Sequence, residues 1–354
     1  LTMLDINLIR EKPEVVRKAL TDRQMDASPV DAILQLDEKR RALLGQVETL
    51  KAERNTVSKE IGQMKEAAAR QSRIEAMRVV GDKIAELDKL VAEVESDLNS
   101  LTSTLPNIPD PRTPYGKDDS ENPVIKTVGE PRKFDFKPLP HWDLGPALGI
   151  IDFERGTKLT GSRFYVLQKA GARLQRALIA FMLELHIDKH GYTEMYLPSM
   201  VKEEAMWHSG QLPKFRDNLY HDAEEDYWFV PTAEVPLTNL HAGEILEPGA
   251  LPKHYVAWTP CFRREKMSAG RDVRGIKRVH QFDKVEMYAF CEPERSAEEL
   301  DRMLEDALDV CRALDLRYRV VSICTGELGF NAARTFDVEA WAPGVGEWLE
   351  ISSV

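Results

Sequence analysis

"CFRREKMSAGRDVRGIKRVHQF", residues 261–282, decides how the rest of the chain reads. Seven of its side chains are basic (Arg263, Arg264, Lys266, Arg271, Arg274, Lys277, Arg278), and only Glu265 and Asp272 oppose them. The whole chain runs the other way, with 48 Lys and Arg against 59 Asp and Glu, a net charge of −11 over 354 residues. An acidic protein does not attract polyanions in general, so a phosphate-rich partner has to be met by a local patch. Within the stretch, Phe262-Arg263-Arg264-Glu265 is followed, after a loop, by Arg278-x-x-x-Phe282. Two strands around that loop make a hairpin, and period-two alternation puts Arg263 and Glu265 on one face and Arg264 on the other. A guanidinium in such a place can fork onto a phosphate or carboxylate, and Phe282 offers a flat surface for a base. Taken alone, Phe-Arg-x-Glu reads by default as an Arg–Glu pair on a solvated strand with a flexible charged turn.

The composition, 43% apolar and 30% charged, reads as soluble and globular. No apolar run approaches the roughly 20 residues that cross a bilayer, and the opening LTMLDINLIREK lacks the apolar centre of a signal peptide. Cys261, Cys291, Cys311 and Cys324 are scattered without a CxxC pair, which points to a reducing cytoplasm rather than to zinc or disulfides. Neither GxxxxGK[ST] nor GxGxxG occurs, so the common phosphate-cradling loops are missing. His141 and His280 have no nucleophile motif beside them and read as structural.

Upstream, residues 30–64 carry a heptad seam: Ile33, Leu36, Arg40, Leu43, Val47, Leu50, Arg54, Val57, Ile61 and Met64. After the polar interruption KEAAARQSR, a second seam runs Met77, Val80, Ile84, Leu87, Val91, Val94, Leu98, Leu101 and Leu105. Spacing that alternates three and four keeps one stripe of a helix toward a partner, so the two seams predict an antiparallel helical hairpin about 50 Å long. A hairpin of that length is expected to project. It is either a structural, dimerising coiled coil or a polyanion grip. Charge favours the grip: residues 51–83 around the tip hold eight basic and five acidic side chains, while Glu93, Glu95 and Asp97 near the base have no basic counterpart. Residues 106–140 contain eight of the 20 prolines and read as a linker, because proline removes a donor and fixes φ. Beyond it, a helical pattern over 167–185 precedes short alternating segments (YWFVPTAEV, HYVAWTPCF, HQFDKVEMYAF, RTFDVEAWA) and a late helix over 297–314. That order predicts α+β with a mainly antiparallel sheet and flanking helices.

FRxE followed by RxxxF resembles the second signature of class II aminoacyl-tRNA synthetases, and Gly191-Tyr192 through Pro198 resembles their first. More narrowly, SAGRDVRG with RVHQFDKVE, VPTAEVPLTNLH, LTGSRF and LEISS are similar to bacterial-type seryl-tRNA synthetases, a resemblance that runs from Met3 to Val354. It implies an N-terminal tRNA-binding domain with a coiled-coil arm (1–105), the proline-rich linker (106–140) and a class II catalytic domain (141–354) that forms a homodimer. The implied reaction is ATP-dependent activation of L-serine to seryl-adenylate, with transfer to the 3′ end of tRNA(Ser) and tRNA(Sec).

The resemblance also assigns residues. Arg263 would sit on the α-phosphate and the serine carboxylate, with Arg263 and Glu265 as the catalytic pair. Arg264, Glu265, Val279 and Phe282 would surround the nucleotide, and Arg271 and Arg274 would meet triphosphate or tRNA. Serine would be held by Thr232, Ala233, Glu234, Arg263 and Glu286. Glu350, Ile351, Ser352 and Ser353 would touch ATP, with Glu350 and Ser353 on its Mg²⁺, for which hard oxygen donors are suited. Two departures stand out. Lys266-Met267 replace the family's small Ala-Gly, and the glycine-rich third signature with its ATP-clamping arginine does not occur before Val354. The resemblance therefore implies a chain truncated at its C-terminus, with weak or no activation of serine by itself. The rival reading is a synthetase-like paralogue that is non-catalytic or charges a carrier protein.

Overall fold

The computed structural model describes residues 3–266 and 273–354, in two compact units divided between Pro109 and Asp110. Arg271 and Met267, singled out above, lie outside the described residues.

The first unit is helical: α1 (Ile6–Glu11), α2 (Pro13–Asp22), α3 (Pro29–Gln63) and α4 (Ala67–Thr102). Asp5 caps α1 by accepting from the Asn7 amide at 2.8 Å, and proline opens both α2 and α3, where its missing N–H costs nothing. The seams meet as expected. Val47, Ile84, Leu87 and Val91 form one buried cluster along the hairpin. A second cluster, at its base, joins Ile9, Val16, Leu20, Val30 and Ile33 to Leu98 and Leu105. The break is shorter than the polar interruption predicts. Only Met64–Glu66 leaves the helix, and Ala67 to Arg73 are already helical. Alanine-rich sequence keeps its helix propensity after the apolar stripe has stopped.

Among the described residues, Arg23, Asp37 and Thr102 are the buried polar side chains of the first unit, and Asp37 is the most enclosed. Asp37 is fully buried, with Arg10 at 3.1 Å, Arg41 at 3.0 Å and Arg40 at 3.5 Å. Burial alone would raise its carboxyl, but hydrogen bonds from Arg10 and Arg41 hold it below the usual range.

The second unit opens with β1 (Val124–Val128), α5 (His141–Ala147), β2 (Ile151–Asp152), α6 (Phe153–Thr160), β3 (Val166–Leu167) and α7 (Ala170–Glu184). Then come β4 (Thr193–Glu194), β5 (Met200–Val201), α8 (Glu203–His208), β6 (Trp228–Phe229) and α9 (Glu234–Asn239). The hairpin β7 (Lys253–Phe262) and β8 (Gln281–Phe290) precedes α10 (Ser296–Ala313), β9 (Tyr318–Ser322), β10 (Phe336–Ala342) and β11 (Glu347–Ser353). Among the described residues, β1-β9-β10-β11 form an antiparallel sheet with α10 packed on it through Leu304, Leu308, Tyr318, Val320 and Phe336. A second sheet, β4-β7-β8, has one parallel pair (β4 with β7) and one antiparallel pair (β7 with β8).

Two expectations change in this unit. The stretch read as linker contains β1, which pairs with β9 at the sheet's edge and so belongs to the second unit. Proline forbids a central strand, but the interval between Pro123 and Pro131 is long enough for an edge one. The segment YWFVPTAEV is a strand only at Trp228–Phe229, because Pro231 ends the pairing and Glu234 begins α9.

Candidate active site

The site is built on the β7–β8 hairpin. Its register pairs Cys261 with Phe282, Thr259 with Lys284 and Ala257 with Glu286. Strand alternation therefore sets Phe282, Lys284 and Glu286 on one face of β8. Where β7 ends, the Phe262 amide donates to the Val230 carbonyl at 2.9 Å, which lays the Pro231–Glu234 turn alongside. Arg263 follows. Its amide donates to the His280 carbonyl at 2.9 Å, its Nε donates to the Pro231 carbonyl at 3.2 Å, and its guanidinium stands 5.0 Å from the centre of the Phe282 ring. Of the sequence-expected residues, Thr232, Glu234, Arg263, Phe282 and Glu286 thus come together. Ala233 is fully buried beneath them beside Leu197, Leu237 and Ala257.

The pocket has a dense polar floor. The Thr232 hydroxyl donates to Glu286 Oε2 at 2.6 Å and accepts from Lys284 Nζ at 2.6 Å, while Lys284 also pairs with Glu286. The Glu234 amide donates to the same hydroxyl at 3.2 Å. Burial raises the Glu234 carboxyl, the Glu286 carboxylate adds to the rise, and Lys284 and Arg263 oppose it. Two acids and two bases share one small space. Lys284 is a residue that the sequence reading passed over, although the alternation Phe-x-Lys-x-Glu placed it on the same face.

Arg264 turns elsewhere: it is exposed, with its guanidinium 6.0 Å from the Tyr220 ring centre, so it does not join Arg263. Glu265 has φ +49°, and strict alternation stops there. Its carboxylate lies 3.6 Å from the Arg278 guanidinium, which links the two halves of FRxE…RxxxF directly. Val279 is buried as an apolar residue. Arg163, in LTGSRF, ties together the segments just after β7 and just before β8: its side chain donates to the Glu265 carbonyl at 3.2 Å, and its own carbonyl accepts from the His280 amide at 3.3 Å. No local pattern could have disclosed a contact between residues that far apart in sequence.

The basic segment is seated on aromatic rings. Arg274 and Lys277 lie 4.7 and 5.4 Å from the Trp142 ring, and the Ile276 amide donates to His141 Nε2 at 2.8 Å. Burial, with Lys277 nearby, holds His141 below the usual imidazole range, which keeps that acceptor available. Lys277 Nζ also reaches Glu347 at 3.0 Å, joining the hairpin to the first residue of β11.

On β11, a bulge rearranges the expected nucleotide residues. Ser352 pairs with Val338 and Glu350 with Glu339, so Ile351 is the extra residue. Plain alternation would put Glu350 and Ser353 on opposite faces; the bulge puts both on the face of Asp337 and Glu339. Asp337 is raised to about 6, first by burial and then by Glu350, with a hydrogen bond from Ser353 opposing. Asp337 is a second residue that the sequence reading did not select.

Comparison with known proteins agrees with this geometry. The seryl-tRNA synthetase N-terminal domain model matches residues 3–109, and the class II tRNA synthetase core domain model (G, H, P, S and T) matches residues 215–354. The serine–tRNA ligase of Roseiflexus sp. (strain RS-1) is 62% identical over 99% of this chain and 82% of its own length. That of Thermomicrobium roseum is 58% identical over 99% of this chain and 79% of its own. A crystal structure of seryl-tRNA synthetase from Pyrococcus horikoshii complexed with ATP superposes with a TM-score of 0.91 at 38% identity, covering 99% of this chain and 83% of that one. With a hairpin arm, a class II hairpin site and relatives matched over 99% of its length, the chain belongs to the seryl-tRNA synthetase family.

Proposed function

We infer that the protein activates L-serine with ATP and transfers it to the 3′ end of tRNA(Ser), as a serine–tRNA ligase. The observation that carries this is the single face of β8, where an aromatic platform, a lysine and a carboxylate alternate, with Arg263 over the first and Thr232 against the last. The family's ATP-bound relative supports ATP as co-substrate.

In this reading the serine carboxylate oxygen attacks the ATP α-phosphorus. An O–P bond forms, the bond to pyrophosphate breaks, and a ribose hydroxyl of tRNA then attacks the adenylate carbonyl, releasing AMP. Arg263 bridges the carboxylate and the α-phosphate, Phe282 carries the adenine, and Glu286 with Glu234 receives the ammonium and hydroxyl of serine. Positioning and charge neutralisation supply the rate without a covalent enzyme intermediate. Glu350 and Ser353, on one face beside Asp337, offer the hard oxygens that fit an ATP-bound Mg²⁺, and a raised buried carboxyl next to another acid is an environment that a divalent cation relieves. When bound, that ion would neutralise phosphate charge. Pyrophosphate exchange in the full-length protein tests the substrate: exchange with serine is expected to exceed that with alanine or threonine by roughly a hundredfold or more. Equal exchange with alanine would sink the reading.

The protein is read as a cytoplasmic homodimer. All four cysteines are free, and among the described residues no helix is long and apolar enough to cross a membrane. Only Gly171 of α7 is buried, although the helix carries Leu174, Leu178, Ile179, Phe181, Met182 and Leu183, and Leu174 is 57% exposed. Such an apolar helix asks for a partner of its own kind. Sedimentation at micromolar concentration is expected to give twice the chain mass, and Leu174→Asp to shift it toward one. A wild-type monomer would refute the assignment.

A further inference from the structure

We propose that Lys284 is a positioning residue for serine, holding Thr232 and Glu286 in the one arrangement that leaves Glu286 Oε1 to accept the substrate hydroxyl. The proposal rests on the serine-ligase reading above. It follows from hydrogen-bond capacity. A threonine hydroxyl has one proton and two lone pairs. The proton of Thr232 goes to Glu286 Oε2 at 2.6 Å, one lone pair takes Lys284 Nζ at 2.6 Å, and the other takes the Glu234 amide at 3.2 Å. Every capacity is used, and Thr232 is 4% exposed. Its hydroxyl therefore acts as a spacer within the wall of the pocket.

Glu286 Oε2 is doubly engaged as well, by the Thr232 hydroxyl and the Lys284 ammonium. Oε1 takes part in neither bond. A carboxylate with one oxygen pinned by a charged donor cannot rotate freely, so its other oxygen has a defined direction. Lys284 is aimed by the strand itself, two residues before Glu286 on the same face of β8. It also supplies positive charge where Glu234 and Glu286 crowd each other. Without it, Glu234 and Glu286 would face each other with less compensating charge, and a Glu286 carboxylate held only by Thr232 would distinguish a hydroxyl from a methyl poorly.

The test compares wild type, Lys284→Met and Lys284→Arg in the full-length protein by pyrophosphate exchange, with KM for serine and for ATP measured separately. Lys284→Met is expected to raise the serine KM at least about 30-fold and to cut the preference for serine over alanine at least about tenfold, with ATP KM within about threefold. Lys284→Arg keeps a charged donor and is expected to recover most of the preference. An unchanged serine KM, serine and ATP KM rising together, or an arginine variant no better than methionine would each overturn the assignment. A wild type without preference for serine would overturn the underlying reading and this one with it. A serine-specific wild type whose methionine variant is equally specific overturns the role of Lys284 alone.

Discussion

Arg263→Lys in the full-length protein is expected to slow serine activation by about a hundredfold or more, with the fold intact. Lysine keeps the charge and loses the fork, so the outcome separates geometry from electrostatics. The side chain is held by a bond from Nε to the Pro231 carbonyl with its guanidinium over the Phe282 ring, and a lysine has no Nε donor with which to make that bond. Its amide bond to His280 belongs to the backbone and survives the substitution. A preorganised charged donor that meets charge developing in the transition state is worth about 3 kcal/mol or more, and about 1.4 kcal/mol corresponds to tenfold in rate. The control is the adjacent residue. Arg264→Lys should be mild, since that guanidinium is exposed over Tyr220 and away from the pocket. Pyrophosphate exchange with both variants, alongside melting curves, reads the difference. Equal damage from the two substitutions would show that the pocket is not where Arg263 points. No damage from either would reduce the basic segment to a solvated run of charge.

The contrast between these neighbours shows what a linear sequence does and does not display. Periodicity was legible wherever one face is buried. The seams of α3 and α4 repeat because burial repeats, and Phe282 and Glu286 share a face because β8 pairs with β7 residue by residue. Lys284 was equally legible by that rule and was missed because a lysine between two assigned positions draws no notice by itself. The bulge at Ile351 was not legible: alternation separates Glu350 from Ser353, and only pairing with β10 shows them on one side. Arg163 depends on a contact across the chain, and Asp337 on burial beside Glu350. The mistaken linker has a different cause. Proline density describes what a segment cannot be at its prolines, and β1 lies between them.

The second large effect is expected from the arm. Removing residues 43–91 and joining Ala42 to Ala92 through a short glycine bridge should leave serine activation within about threefold, while tRNA charging falls by roughly a hundredfold or more. The cut follows the core. Val47, Ile84, Leu87 and Val91 pack on one another, together with Leu43, Leu44, Leu50 and Val80, so they leave as a set. The basal cluster of Ile9, Val16, Leu20, Val30, Ile33, Leu98 and Leu105 keeps all its members, and Asp37 keeps Arg10, Arg40 and Arg41. The deleted part carries the charge that a phosphate backbone would meet. Lys59, Lys65, Arg70, Arg78 and Lys83 are exposed, and no acidic side chain among the described residues is bridged to them, whereas Lys51 and Arg73 are paired with Asp88 and Glu60. Phosphate contacts release counterions, so each one lost should flatten the salt dependence of tRNA binding by about 0.7 to 0.9 in log–log slope. That slope separates a grip from a strut. A structural arm, once deleted, would lower pyrophosphate exchange along with charging and leave the salt dependence of the residual binding as it was. A tRNA-binding arm leaves exchange standing and takes the slope with it.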